Sequence, residues 1–273
     1  MKALITYTLI FLSLSLSAQE KTKELADAET AFANYAFEHN TKEAFLKFMD
    51  TSAVVFKNGE VQKAKPTWEA KQPTGGKLLW FPTFAVISTS ADLGVTTGPW
   101  EYKPTGQPGD TAASSGAFMT VWTKKNNEWK WLVDIGITHN LKNARASGVS
   151  SVEMNHIERT TYDAARYMLN AEYYFITAYN KTGKEAYNTV ADNDIHMLNP
   201  NQLPTHGIYS LDAALVNMSG KMQFQVVGSG VSKDGDVGYV YGTASENDKK
   251  GNYLRIWRRI SRKWTLIMQT ITI

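Results

Sequence analysis

One carboxylate interrupts a run of large apolar residues: Asp134, in Trp129-Lys-Trp-Leu-Val-Asp-Ile-Gly-Ile137. An acid in such a strand is either partnered or desolvated with a raised pKa, and the second condition is how a general base is tuned. The structural alternative is a hydrogen bond near a rim or a pairing with lysine, which perturbs carboxylates equally well. Alternation by two places Asp134 on one face with Leu132 and Gly136. Aromatic residues are dense, with Trp 8, Tyr 13 and Phe 11. Trp80, Trp100, Tyr102, Trp122 and Trp131 suit a pocket for an apolar or ring-shaped ligand, and they suit the half-buried face of a sheet too.

Two further groups could in principle do chemistry. His196 and His206 flank a Pro/Asn-rich stretch with Asp192 and Asp194 nearby. That is His/carboxylate metal chemistry without a compact ligand spacing, so solvated loop histidines and no metal are expected. Arg255, Arg258, Arg259, Arg262 and Lys263 straddle a hairpin on alternating faces, which predicts a solvated turn and not a nucleic-acid stripe. The chain has no Gly-rich phosphate loop, no Gly-x-Ser-x-Gly elbow and no His-Glu-x-x-His helix, so nucleotide hydrolysis, serine hydrolysis and zinc proteolysis lack support.

The elements that position these residues occur twice. Gly116-Ala-Phe-Met-Thr-Val-Trp122 and Trp129-Lys-Trp-Leu-Val-Asp134 are echoed by Gly251-Asn-Tyr-Leu-Arg-Ile-Trp257 and Trp264-Thr-Leu-Ile-Met-Gln269. The spacing is constant, since 257 − 122 and 264 − 129 both give 135. Ala28-Glu29…Phe32 is echoed by Ala171-Glu172…Phe175, Lys42-Glu-Ala-Phe45 by Lys184-Glu-Ala-Tyr187, and Asp92-Leu-Gly-Val-Thr-Thr-Gly98 by Asp236-Val-Gly-Tyr-Val-Tyr-Gly242. A duplicated unit follows. In the first copy, apolar spacing predicts a helix over about 23–38, a second helix capped by Thr41, and a strand over 53–56 ending in an Asn58-Gly59 turn. A short helix over 65–71 and strands over 78–88, 92–102, 114–123 and 129–137 complete it. Helices followed by consecutive strands give an α+β order.

A chain of 273 residues, 43% hydrophobic and 20% charged, is long enough for two cores of ordinary size. Residues 1–18 read as a cleaved signal peptide: Lys2, an apolar run from Ala3 to Leu16, then Ser17-Ala18. Residues 19–145 form the first unit and 146–273 the second, with a linker over 139–151. Removing Lys2 with the signal takes the net charge from +3 to +2, which supports neither nucleic acid nor an anionic membrane as partner. No stable membrane span remains after signal removal, and a chain with Cys 0 excludes disulfides, thiolate metal sites and a lipid-anchor cysteine. A periplasmic or secreted location is expected.

Glu38-His-Asn-Thr-Lys-Glu-Ala-Phe45, Asp92-Leu-Gly-Val-Thr-Thr-Gly-Pro-Trp-Glu-Tyr102 and Trp129-Lys-Trp-Leu-Val-Asp134 resemble a bacterial branch of the nuclear transport factor 2-like superfamily, mostly of unknown function. That superfamily also holds ketosteroid isomerase and the SnoaL-like cyclases, and the resemblance covers most of residues 24–138. It implies tandem cones of cystatin-like α+β fold, each with N-terminal helices on a strongly curved antiparallel sheet whose concave face forms an apolar pocket. In its enzymes acid–base side chains sit in that pocket and no cofactor is used, while many members only bind or oligomerise. Carried onto this chain, the resemblance implies Asp134 as the catalytic candidate. Tyr35, Trp68, Trp80, Trp100, Tyr102, Trp122, Tyr241 and Gln269 are the ligand-contact candidates. The second copy lacks the Gly-Pro-Trp-Glu-Tyr string and has Gln269 in place of Asp134. Three expectations follow: binding of a small, largely apolar ligand; a cofactor-free isomerase, dehydratase or cyclase using Asp134; and an internal pseudo-dimer of the two cones.

Overall fold

The computed structural model describes residues 2–107, 109–141, 148–152, 154 and 163–273, with side chains from residue 19 onward. The side chains of the expected signal, and residues 142–147 of the expected linker, lie outside the described residues. The first half runs α1 (Lys2–Glu38), α2 (Thr41–Phe48), β1 (Met49–Lys57), β2 (Glu60–Lys63), α3 (Ala64–Ala70), β3 (Lys77–Trp80), β4 (Phe84–Ile87), β5 (Leu93–Lys103), β6 (Ser114–Lys125) and β7 (Glu128–Thr138), with β8 (Ser150–Ser151) after it. The second runs α4 (Ala164–Thr182), a 3-10 turn at Gly183–Ala186, α5 (Tyr187–Val190), β9 (Ala191–Leu198), β10 (Thr205–His206), a second 3-10 turn at Ile208–Ser210, α6 (Leu211–Leu215), β11 (Gln223–Val231), β12 (Val237–Glu246), β13 (Lys249–Ile260) and β14 (Lys263–Ile271). Strand order is β2-β1-β7-β6-β5-β4-β8 in one sheet, with β3 also on β5, and β10-β9-β14-β13-β12-β11 in the other. Both halves are therefore α+β, with helices first and a mainly antiparallel sheet after them.

Local chemistry explains the boundaries, including three that differ from the sequence reading. The helix expected from residue 23 extends back to Lys2. The second helix is capped by Asn40 and not by Thr41: the Asn40 side-chain oxygen accepts the Glu43 N–H at 2.9 Å, and Asn40 Nδ2 donates to the Glu43 carboxylate at 2.6 Å. The strand expected over 78–88 is two strands, because the break at Phe81-Pro82-Thr83 includes a residue with no N–H to give to a ladder. Asn58 (φ 52°) and Gly59 (φ 81°) both adopt left-handed backbone, which closes the β1–β2 hairpin.

Each half has its own core inside its cone. In the first, Leu25, Phe32 and Ala36 of α1 meet Phe45, Trp68, Trp80, Trp122 and Trp131. In the second, Met168, Phe175 and Tyr179 of α4 meet Tyr187, Tyr253, Trp257 and Trp264. A third apolar cluster joins the outer faces of the two sheets: Val95, Met119, Val121, Val133, Ile135 and Ile137 against Leu198, Leu254, Ile256, Ile267 and Met268. Buried on both faces, these strands read as nearly unbroken apolar runs.

Polar contacts across that junction are reciprocal. Asp236 accepts the Thr89 N–H at 2.7 Å and the Thr89 hydroxyl at 2.6 Å, while Asp92 accepts the Lys233 N–H at 3.2 Å. Since 236 − 92 and 233 − 89 both equal 144, equivalent residues of the two copies meet in exchanged roles, the signature of an isologous contact.

A shared irregularity sets which side chains point inward. Val121 pairs with Val133 but Trp122 pairs with Trp131, so Leu132 is an extra residue that bulges β7. Leu132 consequently packs on the outer cluster, and the expectation that it shares a face with Asp134 is corrected. The same bulge recurs between Ile256 and Trp257, where Ile267 is the extra residue.

Candidate functional site

The first cone opens inward onto a cavity, whereas on the second half a cavity of about 250 Å³ is lined by Tyr167, Ala171, Tyr174, Thr189, Val190, Arg262, Lys263 and Trp264, none of them a partner of Arg255. The first cone's cavity, of about 200 Å³, is lined by Phe32, Phe45, Leu78, Trp80, Trp100, Phe118, Asp134 and Gly136. β7 delivers Asp134 and Gly136 two residues apart on the concave side, beyond the bulge. The absent side chain of Gly136 leaves room beside the Trp100 indole, whose N–H donates to the carbonyls of Ala117 and Ile137 at 3.2 and 3.1 Å.

Asp134 is half-buried and accepts the Thr120 hydroxyl on Oδ2 at 2.9 Å. Burial pushes its carboxyl up to about 6, against the hydrogen bond from Thr120 and the charge of Lys71, which both pull it down. Lys71 holds its ammonium 3.5 Å above the Trp68 ring, and among the described residues Asp134 makes no ion pair within 4.0 Å.

Beneath the cavity lies a second acid that the sequence reading did not single out. Glu29, on the inward face of α1, is fully buried. It accepts Trp80 Nε1 at 2.6 Å on Oε1, and the Thr96 hydroxyl at 2.5 Å with Trp122 Nε1 at 2.9 Å on Oε2. Burial raises its carboxyl to about 7; the Thr96, Trp80 and Trp122 bonds oppose that rise, and the nearby Asp134 charge adds to it. The echo of Glu29 by Glu172 was the available signal, since a repeated acid on an apolar helix face needs an inward partner.

The second cone holds the corresponding groups and closes over them. Glu172 Oε2 accepts Trp257 Nε1 at 3.0 Å, as Glu29 does from Trp122, but Glu172 Oε1 accepts Arg255 Nη1 at 2.6 Å. Arg255 Nε donates to Gln269 at 2.7 Å, and the Tyr187 hydroxyl donates to the same oxygen at 2.8 Å. The guanidinium lies over Phe175, Phe224 and Tyr253, 4.5, 4.1 and 4.4 Å from the ring centres. Arg255 and Gln269 are fully buried, so this cone is filled by its own arginine.

The other sequence candidates divide as follows. Trp80 and Trp100 line the cavity. Trp68 stacks on Phe45 at 3.9 Å and Trp122 is bonded to Glu29, both within the core. Tyr35 packs on His39 and Phe48, and Tyr102 covers Gly76, both away from the lining. Tyr241 sits on the outer face of its sheet, 5.9 Å from Phe56, so its expected place in a second pocket is corrected by strand parity. Gln269 is inside the second cone but occupied by Arg255 and Tyr187.

Two other expectations are overturned. His196 is a buried strand residue stacked on Phe84 at 3.7 Å and His206 at 4.2 Å, not a solvated loop histidine; burial pushes its imidazole down to about 3. Arg262 and Lys263 are exposed as expected of a turn, but Arg255, Arg258 and Arg259 are buried: Glu172 meets Arg255, Arg258 forms paired bonds to Asp192 at 2.9 and 2.5 Å and reaches Asp194 at 3.2 Å, and Arg259 donates to the Asp234 main-chain carbonyl. No group of three His, Cys, Asp or Glu suited to a metal occurs among the described residues.

Fold and site together define tandem α+β cones, one open onto a carboxylate and one plugged by a guanidinium. No protein-family model and no curated protein matches this chain. Similar solved structures include a nuclear transport factor 2-like protein from Cytophaga hutchinsonii, at 18% identity over 41% of this chain and 98% of that one, with a TM-score of 0.32. They also include a nuclear transport factor 2-like protein of unknown function from Shewanella oneidensis, at 14% identity over 42% and 100%, TM-score 0.32. A third is a protein of unknown function with a cystatin-like fold from Nostoc punctiforme, at 11% identity over 42% and 88%, TM-score 0.34.

Proposed function

We propose that this is an exported small-molecule-binding protein whose first cone takes a compact, largely apolar ligand and meets its polar end with Asp134. The second cone is scaffold, and the two form an internal pseudo-dimer. The observation that carries the reading is the asymmetry of the cones: the same architecture is filled by Arg255 in one and keeps a cavity of about 200 Å³ in the other. That volume and its lining of five aromatic rings suit a ligand of one or two rings. Export is supported by the signal-like residues 1–18, whose removal leaves every buried contact of α1 from Thr22 onward in place.

A second reading, a cofactor-free acid–base enzyme, is favoured by one observation: the Asp134 carboxyl, at about 6, is poised to exchange a proton with a bound ligand near neutral pH. Native mass spectrometry of the protein purified from its own host tests the pocket. Gly136→Val places two methyl groups in the cavity, and the wild type should carry a small molecule that the variant loses. Retention of the same molecule by a folded Gly136→Val protein would sink the pocket assignment. If that molecule is turned over, Asp134→Asn should slow the step by roughly a hundredfold or more.

A further inference from the structure

The filled cone is a template for what the open one lacks. Strand register makes the correspondence residue by residue: Arg255 pairs with Gln269 across β13–β14, and Thr120 pairs with Asp134 across β6–β7. The three rings that hold the Arg255 guanidinium also have counterparts. Phe175 corresponds to Phe32 in the echoed helices. Tyr253 corresponds to Phe118, two residues before Arg255 and Thr120 respectively. Phe224 pairs with Ala244 where Trp80 pairs with Trp100, and those partners stand opposite Gly251 and Gly116. Phe32, Trp80 and Phe118 all line the cavity.

The first cone thus retains the aromatic cradle and the buried glutamate, converts the glutamine to an aspartate, and replaces the arginine by threonine. Trp80 Nε1 takes over the contact to Glu29 Oε1 that Arg255 makes to Glu172 Oε1, at the same 2.6 Å. The result is one carboxyl, Asp134 on β7, lining an aromatic cavity from which the cation has been removed, with a second, Glu29 on α1, buried behind the Trp80 indole that lines it. Among the described residues the cation whose charge acts on Asp134 is Lys71, which follows α3 and is held over Trp68; Lys57 acts on Lys71. Carboxylates beside electron-rich ring faces select positive charge, and a desolvated cation over such faces is bound more strongly than an exposed one.

We infer that the ligand of the first cone is a small organic cation, a guanidinium or primary ammonium carried on an apolar or ring-bearing body, seated where Arg255 seats its own guanidinium in the second cone. The inference rests on the pocket reading above and specifies its ligand class. Asp134 accepts the N–H of the cation as Gln269 accepts Arg255 Nε, the three rings stack on its faces, and Glu29 contributes its field through the Trp80 indole.

The test is calorimetric titration of the mature protein at pH 7.5 with phenylguanidinium and benzylammonium against their neutral isosteres phenylurea and benzyl alcohol. The cations should bind at least about tenfold more tightly than the isosteres. Asp134→Asn should weaken the cations by a similar factor while leaving the isosteres unchanged. Thr120→Arg, which restores the second cone's plug, should abolish binding of all four, with circular dichroism confirming the fold; if that variant does not fold, the Asp134→Asn comparison decides alone. Cation affinity should also fall as pH is lowered, first through about 7, where Glu29 takes up its proton, and further through about 6, where Asp134 does. Equal binding of cations and isosteres, or cation binding indifferent to Asp134→Asn, overturns the cation assignment and leaves the pocket standing. Absence of binding by all four overturns both.

Discussion

Replacing Arg255 by Met probes the plug of the second cone where its energetics are most exposed. Met approximates the length and volume of the arginine stem, so the packing against Phe175, Phe224 and Tyr253 is largely kept, and what is lost is charge. Arg255 and Glu172 are both fully buried, and their contact is 2.6 Å. Removing the cation leaves Glu172 with the Trp257 N–H and deprives Gln269 of one donor. Breaking a buried pair from one side costs about 3–5 kcal/mol, most of it the penalty of an uncompensated charge. For a protein of this size that is a fall in thermal midpoint on the order of 10 °C. Calorimetry and urea unfolding at pH 7.5 read it directly. The double variant Glu172→Leu/Arg255→Met removes both charges and should recover at least about 1 kcal/mol of the loss, since apolar replacement of a complete pair is often neutral. An Arg255→Met protein within about 1 kcal/mol of wild type, or a double variant less stable than the single, would refute the claim that this cone depends on its internal cation.

Two further outcomes follow from the geometry. His196 cannot take a proton in the folded state until about pH 3, whereas the unfolded chain takes one below about 6.5, so stability is lost as pH falls through that window. His196→Phe should therefore stabilise the protein by about 2 kcal/mol more at pH 5 than at pH 8, read as denaturation free energies; Glu29 and Asp134, whose raised values act with the opposite sign, are common to both proteins and cancel. A Cβ at Gly98 would overlap the Phe81 carbonyl oxygen, and one at the echoed Gly242 would overlap the Gln225 carbonyl oxygen. Gly98→Ala and Gly242→Ala should each cost about 1–3 kcal/mol in urea unfolding, and indifference at either position would show that the facing strand relaxes freely.

Much of the architecture was legible in the sequence because it follows from period and repetition. Two copies with constant spacing from Gly116 to Asp134 and from Gly251 to Gln269 specify two like hairpins, and helical spacing of apolar residues before them specifies α+β order. Asp134 announced itself as an acid in an apolar strand. The rest depended on contacts between distant segments. A bulge is invisible to a period of two, so Leu132 was placed on the wrong face and only the register against Val121 and Trp122 turns it outward. The outer faces of both sheets are buried because the other copy covers them, which is why Tyr241 lies in the junction and His196 stacks on Phe84 from the first half. Charge burial is likewise a tertiary outcome. Arg255 reads as one member of a basic turn until Glu172, 83 residues away, is brought against it. Glu29 reads as one acid on a surface helix until the indoles of Trp80 and Trp122 close on its carboxylate. Period and repetition are local properties, so they specify which elements form and that they form twice; whether the interior of a cone is filled depends on side chains from separate strands meeting there, and Thr120 in place of arginine acquires its meaning only once both sheets are in register.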